Sequence, residues 1–225
     1  MALICFDLDG TLADPLLAMQ HCARLACEES GLPGPSVDQV TGCIGLGPEG
    51  LFAGLADPAL LAQALASYWA HFAQDGIVKY RVYDGVLLML ARLKRQGHQL
   101  HVVTVKPVRY ARQVLHHFDL LLSFDDVFGS ALNASAPSKG EVVARMRERG
   151  VLVPGGFMIG DRGDDMAVAR ANGMVPVGVT YGYGKPGELK DAGAQFLFDS
   201  VTALDDWFKE TLRELEIHDS FSRSE

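Results

Sequence analysis

Apolar runs and helix-spaced apolar positions alternate along this chain. Residues 3–6 form an apolar run that stops at Asp7 and reads as a buried strand. Asp14-Pro15 supplies an N-cap and a first-turn proline, and Leu16, Met19, Ala23 and Ala26 then recur at helical spacing until Gly31. A second helix is expected from Asp57-Pro58, with Leu61, Leu65, Tyr68 and Phe72 on one face. Between them residues 34–54 are rich in glycine and proline, with Gly42, Gly45, Gly47 and Gly50 close together. Asp84 is the expected cap of a helix bearing Val86, Leu90 and Leu93, which Gly97 ends. Residues 99–103 read as a strand, and Pro107 opens the next helix. Ser138-Lys139-Gly140-Glu141 has the form of a capping box, with a helix running to Gly150. A short buried strand at 157–160 precedes a helix ending near Gly173, and 175–180 is strand again. Leu204, Phe208, Leu212 and Leu215 mark a final amphipathic helix.

Strands separated by helices predict an α/β fold, a Rossmann-like parallel sheet with helices on both faces. Residues 14–80 have no strand candidate and read as a small all-helical cap inserted after the first strand. The catalytic core is then expected over 1–13 and 81–225. There are no repeats and no low-complexity tract. At 225 residues, 48% hydrophobic and 21% charged, the composition is ordinary globular material. The net charge of -8 argues against nucleic acid or an anionic membrane as a partner, and it means an anionic substrate must be drawn in by a local cation. No apolar stretch is long enough to span a bilayer, and with Met1 leading straight into the first strand no signal peptide is expected. Cys5, Cys22, Cys27 and Cys43 lack zinc-type spacing, so reduced thiols in a cytoplasmic protein are expected.

The candidate chemistry lies at strand ends. Asp7 and Asp9 repel one another, and burying both calls for a counterion. A hard cation held by oxygens resolves the conflict, and magnesium typically sits on one or two carboxylates plus a substrate phosphate. Gly10 allows a tight turn just beyond. The second strand is expected to end at Thr104, whose hydroxyl suits a phosphate oxygen, and the third at Asp161. In open parallel sheets such ends converge on one crevice. Lys139 at a helix start is electrostatically misplaced unless an anion lies nearby. Asp165, one turn beyond Asp161, points back to the same site, while Asp164 is expected as an N-cap or a weak supporting group.

The segment Asp7-Leu8-Asp9-Gly10-Thr11-Leu12 resembles the opening motif of haloacid dehalogenase superfamily phosphatases. Val102-Val103-Thr104-Val105-Lys106-Pro107 is similar to the second motif, with the Lys-Pro ending of phosphoglycolate phosphatases. Lys139 stands in the Pro-x-Lys setting of the third motif, and Gly160-Asp161 with Asp165 is similar to the fourth. The resemblance implies a magnesium-dependent phosphatase acting on a small phosphate ester through an aspartyl-phosphate. It implies Asp7 as nucleophile, Asp9 as general acid/base, and a metal held by Asp7, the Asp9 main-chain carbonyl and Asp161. Thr104 and Lys139 would bind the phosphoryl group, with Asp165 in support. Gly45 and Gly47 of the insert, with Lys106 and Arg109 on the core rim, are candidates for reading the substrate. The same motifs leave open a phosphosugar mutase, a pyrophosphatase or a non-catalytic phosphate sensor. A true dehalogenase is disfavoured by Asp9 and the Asp161 cluster. A monomer or homodimer is expected. The His116-His117 pair reads as helix surface, and Gly182-Tyr183-Gly184 as a plain turn or a substrate contact.

Overall fold

The computed structural model describes residues 1–52, 54, 55, 57–131, 138–151 and 154–222, with the backbone alone over 213–222. Two expectations fall outside that description, the side chain of Leu215 and Pro137 of the Pro-x-Lys setting. The core strands are β1 (Leu3–Phe6), β4 (Gln99–Pro107), β5 (Asp126–Ser130), β6 (Phe157–Gly160), β7 (Val175–Val179) and β8 (Phe196–Phe198). They form one parallel sheet in the order β5-β4-β1-β6-β7-β8. The chain runs outward from β1 to one side, then returns and builds the other, so β1 stands where the strand order reverses. Ligands of such sheets bind outside the carboxyl ends at that point. The sheet-flanking helices are α4 (Val86–Arg95), α5 (Val108–His117), α6 (Lys139–Glu148), α7 (Gly163–Ala171), α8 (Glu188–Asp191) and α9 (Val201–Ser222). This is the predicted Rossmann-like architecture.

Before β4 the chain makes a different structure. A short antiparallel ribbon, β2 (Ala13–Asp14) with β3 (Arg81–Val82), brackets α1 (Leu16–Glu29), α2 (Val37–Cys43) and α3 (Pro58–His71). Short turns of other helical types at Pro48–Phe52, Phe72–Gly76 and Ile77–Lys79 complete the segment. Its own apolar stripe packs Met19, Cys22 and Ala26 of α1 against Ala64 and Tyr68 of α3. The glycine-rich stretch hides α2, which Ser36 starts: its hydroxyl accepts the Gln39 N–H, and the Gln39 side chain accepts the Ser36 N–H.

Several local expectations need correction. Asp84 does not cap α4, because Gly85 occupies the N-cap position in a left-handed conformation. β4 does not end at Thr104 but continues to Pro107, although its register against β5 breaks between Val103 and Pro107. A bulge there suits a site, because bulges re-aim side chains. The edge strands β5 and β8 carry no clear alternating pattern and are visible only in the fold. Phe6, fully buried on β1, meets Phe124 and Phe208 edge-on at 6.4 and 6.5 Å, anchoring the central strand from one side of the sheet.

Beyond β1 the chain turns sharply: the Asp7 N–H still bonds to Ile159, and the Leu12 and Ala13 N–H groups return to the Leu8 carbonyl. Gly10 makes this possible with φ +85°, and a β carbon there would run into the Asp161 carboxylate. Gly10→Ala is therefore expected to lower unfolding free energy by more than the roughly 1–2 kcal/mol of left-handed strain alone. Chemical denaturation measures it, and an unchanged midpoint would show that the turn adapts freely.

Candidate active site

Asp7, the first residue past β1, is almost fully buried. Its Oδ1 accepts the Leu8 N–H at 2.7 Å, and its Oδ2 accepts from Lys139 Nζ at 2.8 Å. Lys139 is the first residue of α6, positioned by Ser138, whose hydroxyl accepts the Glu141 N–H. The buried ammonium bridges Asp7 and Asp165. Burial opposes its charge, but the Asp165 and Asp7 carboxylates outweigh burial and hold Lys139 protonated far above the ordinary lysine range. Asp165 is fixed by a second contact, accepting the Arg162 N–H at 3.1 Å. Arg162, not Asp164, therefore holds the N-cap position of α7.

Asp161 follows β6 and is fully buried beside Asp7. The Thr11 hydroxyl donates to Oδ1 at 3.1 Å and the Tyr183 N–H to Oδ2 at 2.8 Å. The Gly182-Tyr183-Gly184 loop is thus a support of Asp161 through its backbone. Burial, then the Asp7 charge, push the Asp161 carboxyl up to about 7. Oxygens of Asp7, Asp161 and Asp165 lie within 4.8 Å of one another. Three buried carboxyl groups share a single lysine, which pairs with Asp7 and Asp165, and this crowding of acidic oxygens is what a divalent hard cation would relieve.

Asp9 belongs to a second cluster. Its Oδ1 accepts from the Tyr80 hydroxyl at 3.0 Å and its Oδ2 from Lys106 Nζ at 2.6 Å. Lys106 Nζ lies 4.9 Å from the Phe72 ring centre, 5.5 Å from Tyr80 and 5.8 Å from Trp69. Such an aromatic surround stabilises the cation while keeping water away. Burial and Asp9 raise the Tyr80 phenol well above its usual range, so it stays a donor. Trp69 of α3 in turn stacks on Tyr110 of α5, with ring centres 4.6 Å apart and planes 6° from parallel. The helical segment is thereby closed onto the core at Asp9.

Between the clusters, Thr104 sits in the bulge of β4, fully buried, its hydroxyl oxygen accepting the Lys106 N–H at 3.3 Å. Thr104, Lys106, Asp9, Gly45 and Gly47 share one narrow cavity of about 30 Å³. Arg109 is not brought there; it is exposed on α5 against the Tyr110 ring. His116 and His117 are exposed at the end of the same helix. Sequence reasoning passed over Tyr80, Glu49, Ser130 and Arg162. Arg162 is buried, its Nη1 donating to the Ile44 and Tyr183 carbonyls at 3.3 Å, beside Glu188 at 3.2 Å. Tyr80 and Arg162 act across long sequence separations, and nothing in the local spacing marks Glu49 or Ser130.

The Asp9–Lys106 pair carries a stability prediction. Lys106→Met strands a buried carboxylate, and unfolding free energy above neutral pH should fall by about 3–5 kcal/mol. Adding Asp9→Asn removes the stranded charge and should recover part of the loss. Urea denaturation of both variants decides it; a single variant as stable as wild type contradicts the pairing.

Residues 4–179 match the family described as haloacid dehalogenase-like hydrolase. A 5'-nucleotidase of Pseudomonas aeruginosa is 33% identical over 192 residues, covering 83% of this chain and 86% of that protein. A phosphoglycolate phosphatase of Rhodospirillum rubrum is 32% identical, covering 91% of this chain and 89% of its own. The crystal structure of a predicted phosphatase from Clostridium acetobutylicum superposes with a TM-score of 0.83 at 30% identity, covering 93% of this chain and 98% of that one. The motif geometry and these likenesses agree: the chain belongs to the haloacid dehalogenase-like hydrolases.

Proposed function

We propose that this enzyme hydrolyses a small phosphate monoester, phosphoglycolate-like in size, by transferring the phosphoryl group to Asp7. The enzyme is a phosphoric monoester hydrolase of the haloacid dehalogenase superfamily. The observation that carries the mechanism is the division of labour between two neighbouring carboxylates. Asp7 is held against Lys139 with its oxygens toward the Asp161 cluster, whereas Asp9 is turned into the cavity beneath the helical segment. In this reading an Asp7 oxygen bonds to phosphorus as the bond to the leaving oxygen breaks, and Asp9, entering the step in its protonated form, gives that oxygen its proton and is left as the carboxylate. Asp9 then takes a proton from water, whose oxygen attacks phosphorus and frees Asp7. Lys139 and Thr104 bind the phosphoryl oxygens, and Asp165 positions Lys139.

The charge imbalance around Asp7 fits magnesium. Asp7, Asp161 and the Asp9 main-chain carbonyl would hold it, and when bound it supplies positive charge for the phosphoryl oxygens. Asp165 is already engaged by Lys139 and the Arg162 N–H, so it serves as support rather than ligand. Residues 14–80 act as a lid. A cavity of about 30 Å³ holds little more than a few water molecules, so substrate enters only when this segment swings on the β2–β3 ribbon. Gly45 and Gly47 then meet the leaving group together with Lys106, while exposed Arg109 has no part in the closed site.

Two outcomes test this. Asp7→Asn keeps the shape but removes the nucleophile, so phosphate release should fall by several orders of magnitude. A folded variant with wild-type turnover would rule the mechanism out. The second concerns Asp161. In metal-free protein its raised carboxyl keeps a proton that the unfolded chain has lost, so stability is full below the ordinary aspartate range and declines as pH rises through about 7. Magnesium must displace that proton, so its affinity should climb up to about pH 7 and level off above. Calorimetry in buffers of differing ionisation heat should detect proton release on the acid side alone. Affinity independent of pH across this window would contradict the assignment.

A further inference from the structure

The leaving-group side of the cavity has a polarity of its own. Glu49 stands in the Pro48–Phe52 turn and lines the cavity, with its Oε2 packed directly against Gly47. Burial raises its carboxyl above the usual range, and no described cation pairs with it. Across the cavity Ser130, at the end of β5, is 3% exposed, and its hydroxyl has no partner among the described residues. Tyr68, fully buried in the same wall, keeps its phenol protonated, first through burial and then through Cys22, Asp9 and Glu49. Lys106 is the one cation among the described lining residues, and Asp9 already occupies its ammonium.

A carboxylate on the leaving alcohol would therefore meet Glu49 and find no free cation, which is costly in a partly dry pocket. Neutral hydroxyl groups would instead donate to Glu49 and exchange hydrogen bonds with Ser130. We propose that this cavity selects phosphate monoesters whose leaving alcohol carries further neutral hydroxyls, with Glu49 and Ser130 as specificity-determining residues, and rejects those bearing a carboxylate. This rests on the phosphatase reading above. It separates the chain's substrate from the carboxylate-bearing one for which some relatives are named, because the cap charge here has the wrong sign for it.

The test compares hydroxyethyl phosphate with phosphoglycolate, which differ by CH2OH against COO−, and includes p-nitrophenyl phosphate as a generic ester. The wild type should favour hydroxyethyl phosphate in kcat/KM by about tenfold or more, a discrimination within reach of one unpaired pocket charge. Glu49→Gln should narrow the ratio by raising kcat/KM for phosphoglycolate, and Ser130→Ala by lowering it for hydroxyethyl phosphate. Orthovanadate binding confirms that each variant is folded. A wild type that prefers phosphoglycolate or treats both alike, or a ratio that neither variant moves, overturns the proposal. If p-nitrophenyl phosphate is hydrolysed, such a result removes this inference alone. If no ester is hydrolysed, the phosphatase reading falls and takes this one with it.

Discussion

Three carboxylates buried around one lysine are the constraint on which this molecule is built. Asp7, Asp161 and Asp165 come from the ends of adjacent strands β1 and β6 and from the first turn of α7, all nearly free of solvent. Such a cluster persists only if each charge has a fixed partner or a cation to share. Lys139 answers part of the demand, and backbone N–H groups of Leu8, Arg162 and Tyr183 answer more. The sharp turn at Gly10 follows from the same demand, because Asp161 fills the space where any larger residue would stand. The site remains short of positive charge, and that shortage gives the reading of a divalent metal and a phosphoryl ligand its physical basis.

A second, smaller arrangement joins the helical segment to the core. The Asp9–Lys106 pair is walled by Phe72, Tyr80 and Trp69, and Trp69 stacks on Tyr110 across the junction. Arg162 adds a link from the start of α7 to the Ile44 carbonyl. These contacts join the helical segment, Asp9 and the walls of the neighbouring cavity in one packed region.

Much of this was legible in the chain itself, for identifiable reasons. Strands buried on both faces, such as 3–6 and 157–160, announce themselves as apolar runs, and the polar residue that ends each is where the sheet presents chemistry. Lys139 stood out because a cation at a helix start needs an anion. The edge strands were hidden, since β5 holds Asp126, Gly129 and Ser130, and β8 is three residues long. The course of β4 past Thr104 was hidden too, because a bulge leaves no signature in a run of apolar residues. Asp84 misled, for the adjacent glycine takes the cap instead. Tyr80 and Arg162 act through contacts far apart in sequence, which periodicity cannot register, and Glu49 and Ser130 matter only through the cavity that the fold assembles around them.

Phosphorylation of Asp7 is the most direct thing to measure. The enzyme is mixed with a radiolabelled phosphate ester, quenched in acid within one turnover, and digested for peptide mapping. Label is expected on the peptide carrying Asp7, released by hydroxylamine as an acyl phosphate would be and absent from Asp7→Asn. Label on another residue, or rapid turnover with no labelled protein at any time point, would contradict it.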